Sequence, residues 1–64
     1  MKEYQQRVID EKNDLGEKIK KLTEFTKTEL FNNLSETEQD LLTQQLIDMN
    51  KYHGVLTLRV TIFK

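Results

Sequence analysis

The chain holds few side chains able to do covalent chemistry, so the search for a site starts with its single imidazole, His53. A hydrolase or transferase needs a nucleophile beside a base, a metal cluster, or paired carboxylates held in a pocket. His53 falls between Met49 and Leu56 on an apolar spacing, and the sequence places no Ser, Cys or acid with it. Its expected role is therefore structural, setting register or hydrogen-bonding to a facing chain. At a two-fold axis it would meet its own copy and make the seam pH-sensitive. Without a single Cys, a Zn site lacks thiolate ligands. No catalytic residue, no metal and no cofactor is predicted, and the chain is not expected to be an enzyme.

Non-covalent recognition is what remains. Lys18, Lys20, Lys21 and Lys27 form the one basic cluster, with Arg59 and Lys64 later in the chain. Glu17, Glu24 and Glu29 interleave with it. Duplex binding draws affinity from uncompensated phosphate contacts, so this mixed surface is a poor nucleic-acid footprint. A small anionic ligand needs only a few cations and a stacking ring, and the candidate set for one is Tyr52, Arg59, Lys20 and Lys21. The plainer reading of Tyr52 is a packing residue with its hydroxyl at the rim.

Two helices must position these groups. From about residue 2 to 28 the apolar residues Tyr4, Val8, Leu15, Ile19, Leu22 and Phe25 form one stripe, with Val8, Leu15 and Leu22 seven apart. Glu3 with Arg7, and Glu17 with Lys21, stand in the favourable i, i+4 order on its solvated face. Gly16 costs this helix about 1 kcal/mol relative to Ala, and it is read as a surface residue rather than a point of close approach. A joint spans about 29–35, where Leu30, Phe31 and Leu34 are expected to fold over the end of the hairpin, a partner-binding tip being the alternative. Ser35-Glu36-Thr37-Glu38 then reads as a capping box that starts a second helix over about 36–63.

In the second helix Leu42, Leu46, Met49, His53, Leu56, Val60 and Phe63 are spaced 4, 3, 4, 3, 4 and 3, a heptad seam predicted to be the interface between copies. Leu41, Ile47, Tyr52, Val55, Leu58 and Ile62 flank it, so the C-terminal half is apolar on more than one side. Residues 55–63 also alternate as a strand would. A lone strand needs a mate, and the heptad runs through Gly54 without a phase break, so a continuous helix is preferred. The predicted fold is all-α: an antiparallel two-helix hairpin, one domain over 1–64, self-associated into a bundle.

Composition points the same way. Sixty-four residues with 36% hydrophobic content, no Cys and a net charge of −1 make a small core with no disulfide to reinforce it, which leaves homo-oligomerisation as the usual remedy. The balanced charge gives no field to hold an anionic membrane. The apolar-leaning run Val55 to Phe63 is too short to span one, and the polar start lacks the apolar core of a signal peptide. A cytoplasmic location is expected.

Tyr4-Gln5-Gln6-Arg7-Val8-Ile9-Asp10-Glu11-Lys12-Asn13-Asp14-Leu15, the joint Phe31-x-x-Leu34-Ser35-x-x-Glu38-Gln39, and Met49-x-x-Tyr52-x-x-x-Leu56 resemble a family of very small phage and prophage proteins. That family is named after a relative in crAss-like gut phages. The likeness covers nearly the whole chain, although Gly16 and the β-branched ending at 55–63 depart from the usual pattern. The resemblance implies a helical hairpin in the cytoplasm of an infected or lysogenic bacterial host, acting by stoichiometric binding to a host defence protein. A second expectation is an oligomeric sponge for a small anionic signal nucleotide, and a third is a phage structural or regulatory subunit.

Overall fold

The computed structural model describes residues 2–63, so Lys64 of the basic set lies outside the described residues. Three helices follow one another: α1 (Glu3–Phe25), α2 (Glu29–Asn32) and α3 (Glu36–Thr61). The long helices pack against each other as an antiparallel hairpin of 46 × 14 × 13 Å. Tyr4 meets Phe63 near one end, Glu11 meets Tyr52 further in, and the joint end closes with Phe25 on Phe31, pairs that run in opposite chain directions.

The helix ends follow from local chemistry. Buried Gln5 accepts the Lys2 backbone N–H through its side-chain oxygen at 3.1 Å, closing the first turn of α1. The other end comes three residues earlier than the apolar stripe predicts. Thr23 donates to the Ile19 carbonyl at 2.7 Å, Thr26 to Thr23 at 2.6 Å and Thr28 to Phe25 at 2.7 Å. These hydroxyls satisfy carbonyls that would otherwise seek helical partners, and Thr28 then accepts from the Phe31 N–H as the N-cap of α2. Phe31 stacks edge-on against Phe25 with ring centres 6.0 Å apart, folding the joint over the hairpin end as expected. Leu30 points outward, 69% exposed, and takes no part in that closure.

Ser35 caps α3 by accepting from the Glu38 N–H at 3.2 Å. A second device secures the same turn. The Gln39 amide donates to the carbonyls of Phe31, Leu34 and Asn32 at 3.1, 3.0 and 3.2 Å, tying the first turn of α3 to the end of α2. Helix α3 then runs unbroken through Gly54 and the β-branched segment to Thr61, and no strand occurs among the described residues. Packing against α1 overrides strand propensity here: a helix turns Leu56 and Val60 inward and Leu58 and Ile62 outward, whereas a strand would put all four on one face.

The core is thin. Val8 and Leu56 are the buried hydrophobic residues, and Leu56 is fully enclosed. Leu15, Ile19 and Leu22 of α1, with Leu42, Leu46, Met49, His53 and Val60 of α3 and Phe63 just beyond its end, are half-buried along the contact. The seam expected between copies is therefore, within one chain, the seam between α1 and α3. A hairpin interior needs one apolar stripe per helix, and this is the stripe α3 supplies.

Gly16 also differs from expectation. It is half-buried, and a Cβ placed there would stand 3.4 Å from the Nε2 of His53. The position therefore faces α3 across the helix contact rather than open surface, at a distance where a methyl would make ordinary contact with the imidazole.

Candidate functional site

One flank of the hairpin forms a valley between α1 and α3. Arg7, Glu11, Asp14 and Lys18 recur at 4, 3 and 4 residues, which sets them along one side of α1. Tyr52 rises from α3 opposite them, and its hydroxyl donates to the Glu11 carboxylate. That hydrogen bond pushes the phenol's pKa above its ordinary range, with burial and the negative charge of Glu11 adding to the effect and nearby Arg59 opposing it.

Tyr52 and Leu15 stand in the wall shared by two depressions. The first, of about 440 Å³, is lined by Arg7, Asp10, Glu11, Asp14, Leu15, Lys18 and Tyr52. The second, of about 420 Å³, is lined by Leu15, Leu41, Gln44, Gln45, Asp48, Met49 and Tyr52. Each lies within the usual size range of small-molecule sites, about 300–1,000 Å³. The first mixes three carboxylates with two cations, so it offers both hydrogen-bond acceptors and positive charge. Arg7 is held by Glu3 at 2.7 Å, but both side chains are exposed, and such pairs contribute no more than about 1 kcal/mol. Arg7 can thus exchange Glu3 for a ligand anion at little cost.

The ligand set expected from the sequence is only partly assembled. Tyr52 lines both depressions, and Arg59, two turns along the same helix, acts on it electrostatically. Lys21 belongs to a third hollow, of about 390 Å³, with Asn13, Asp14, Glu17 and Lys18. Lys20 is exposed and lines none of these three. The cations that line the valley together with Tyr52 are instead Arg7 and Lys18. Their signal was present in the sequence as the charged 4, 3, 4 spacing of α1, which reads equally well as a solvated face until the partner helix is placed.

Among the described residues, the valley included, no three His, Cys, Asp or Glu side chains gather as a metal site would require, and no helix is long and apolar enough to cross a membrane. The outer face of α3 exposes Ile47, Val55, Leu58 and Ile62.

Comparison with known proteins adds a family. The model of the family described as Sequestin matches residues 2–62. An uncharacterised 7.5 kDa protein from the denB–rIIB intergenic region of Enterobacteria phage T4 is 39% identical over 61 residues, covering 95% of each chain. No solved structure matches. A small phage relative is what the resemblance implied, although the relative found belongs to phage T4 and shows no link to crAss-like phages.

Proposed function

The chain belongs to the Sequestin family, and from that premise we propose that it binds and holds a small anionic signal of the cyclic-nucleotide type without converting it. The family's name speaks for sequestration. The observation that carries the finer reading is one open valley lined by Tyr52, by the cations Arg7 and Lys18 and by the acids Asp10, Glu11 and Asp14. A nucleotide carries three chemistries at once. Its base stacks on an aromatic ring, its phosphate pairs with Arg and Lys, and its ribose hydroxyls and exocyclic amines donate to carboxylates. A purely anionic ligand would gain nothing from the three acids, whereas a nucleotide uses both signs of the lining. Binding without conversion is the action proposed for the valley. The place of action is the cytoplasm of an infected bacterial cell.

A second reading is inhibition of a host defence protein by direct contact, and the exposed apolar residues of α3 favour it. The two separate in one experiment. Protein recovered from infected cells is examined by native mass spectrometry, then denatured, and any released small molecule is identified. The proposal expects a nucleotide retained at one per valley and returned intact. With cyclic mononucleotides and cyclic dinucleotides added to the purified chain, Tyr52→Ala should weaken binding by the worth of one stacked base, about 1–3 kcal/mol or roughly 5- to 150-fold. A bare chain that binds none of these nucleotides, or a nucleotide released in altered form, would refute it. A stoichiometric host protein in place of the small molecule would establish the second reading.

A further inference from the structure

Around α3, at 100° per residue, Ile47, Lys51, Gly54, Val55, Leu58 and Ile62 fall within a stripe about 100° wide on the side away from α1. The large apolar members are open to solvent: Ile47 is 44% exposed, Val55 51%, Leu58 68% and Ile62 72%. Gly54 lies in the middle with nothing within 4 Å of the position a Cβ would take. The stripe is separate from the Tyr52 valley, and its argument is independent of what that valley binds.

The stripe reads the same in both directions. From Ile47 to Ile62 the spacings are 4, 3, 1, 3 and 4, symmetric about the Gly54–Val55 bond. An isologous contact requires that if one residue meets a second, the second meets the first. Two copies of α3 laid antiparallel about that bond place Ile47 on Ile62, Lys51 on Leu58 and Val55 in the notch left by Gly54. The Lys51 stem covers Leu58 while its ammonium reaches the rim. A parallel pairing would instead set Lys51 against Lys51 and Gly54 against Gly54, a like-charge contact beside a hole.

The surface of the chain calls for such a contact. Its accessible area is 5116 Å² for 7.7 kDa, whereas a compact monomer of that mass exposes about 4,300 Å². The difference of roughly 800 Å² matches what one partner contributes to a standard interface. The radius of gyration is 14.7 Å, against about 11 Å for a compact chain of this length. We infer that the outer face of α3 binds a second copy of this chain, antiparallel and centred on Gly54 and Val55.

Because the chain has no cysteine, introduced single cysteines report the geometry directly. Val55→Cys lies beside its own copy in the proposed dimer, whereas two copies of Ile47→Cys stand about 22 Å apart. Under mild oxidation of the full chain, Val55→Cys should form the disulfide dimer at least tenfold faster than Ile47→Cys. Equal rates, or a faster Ile47→Cys, would overturn the inference. Sedimentation equilibrium of the unmodified chain should give twice the monomer mass at tens of micromolar, and Leu58→Glu should raise the dissociation constant at least tenfold. Should Leu58→Glu fail to fold, the cysteine pair still decides. A helical monomer at all concentrations, or one that pairs only with a foreign protein, would sink it.

Discussion

Gln39 is expected to fasten the hairpin joint, and its removal gives the sharpest test of how this fold is held. Its amide has two hydrogens and serves three carbonyls, those of Phe31 and Leu34 in half-buried surroundings and that of Asn32 in the open. In Gln39→Ala the Asn32 carbonyl is rehydrated freely, while the other two lose bonds each worth about 0.5–1.5 kcal/mol net. The expected cost is therefore about 1–3 kcal/mol, which lowers the melting temperature by roughly 5–25 °C in a domain of this size. Gln44→Ala supplies the control. It makes the same substitution in the same helix but removes only an exposed bond to Asp48 at 3.0 Å, worth a few tenths, about 0.2–0.5 kcal/mol. Both variants are unfolded in urea at one fixed chain concentration and followed by circular dichroism at helical wavelengths, since any self-association makes stability concentration-dependent. The reasoning is refuted if Gln39→Ala costs no more than Gln44→Ala.

Two further outcomes follow from single contacts. Gly16→Ala should stabilise the hairpin by about 0.5–1 kcal/mol through helix propensity, because the new methyl meets His53 at an ordinary van der Waals distance of 3.4 Å. Thermal melts showing a net loss would mean that the imidazole has no room to give. At alkaline pH the sign is set by Tyr52: its folded pKa is raised, so the stabilisation is complete below the unfolded phenol value, about 10, and is lost as pH rises through the folded value. Phenolate absorbance in a Tyr4→Phe background should show Tyr52 ionising at lower pH once Glu11→Gln is added, and an unchanged titration would contradict the assigned hydrogen bond.

Most of the fold was legible because its signals are local or periodic. The seam from Leu42 to Phe63 keeps phase through Gly54, and that alone was enough to prefer helix over strand at 55–63, as found. Ser35 three residues before Glu38 marked the start of α3, and the cap is in place. The early end of α1 was harder, since Thr23, Thr26 and Thr28 act through backbone carbonyls and leave no hydrophobic period behind. Contacts between distant residues were not legible at all. Gly16 against His53 and Glu11 against Tyr52 depend on the register of two long helices, which the joint decides through Gln39 and Phe31. For the same reason Arg7 and Lys18 could not be told from a solvated face, while Lys20, selected for its charge, lies away from the valley.

The arrangement of faces also bears on how a chain this small could matter to a host signal. Helix α3 turns its Leu56 side to α1, its Gly54 and Val55 side outward, and its Tyr52 flank to the valley between those two directions. Copies joined back to back through the outer stripe would leave both valleys open, giving a capacity of one ligand per chain. A binder that does not turn its ligand over lowers the free concentration by a factor of one plus the ratio of free sites to the dissociation constant. Free sites at about 100 times that constant suppress a signal roughly a hundredfold. What limits such a device is the number of sites present and their affinity, and no rate enters. A minimal hairpin that exposes one valley per 64 residues would meet that requirement without a large core, and the self-pairing proposed for α3 would supply the burial that so thin a monomer lacks.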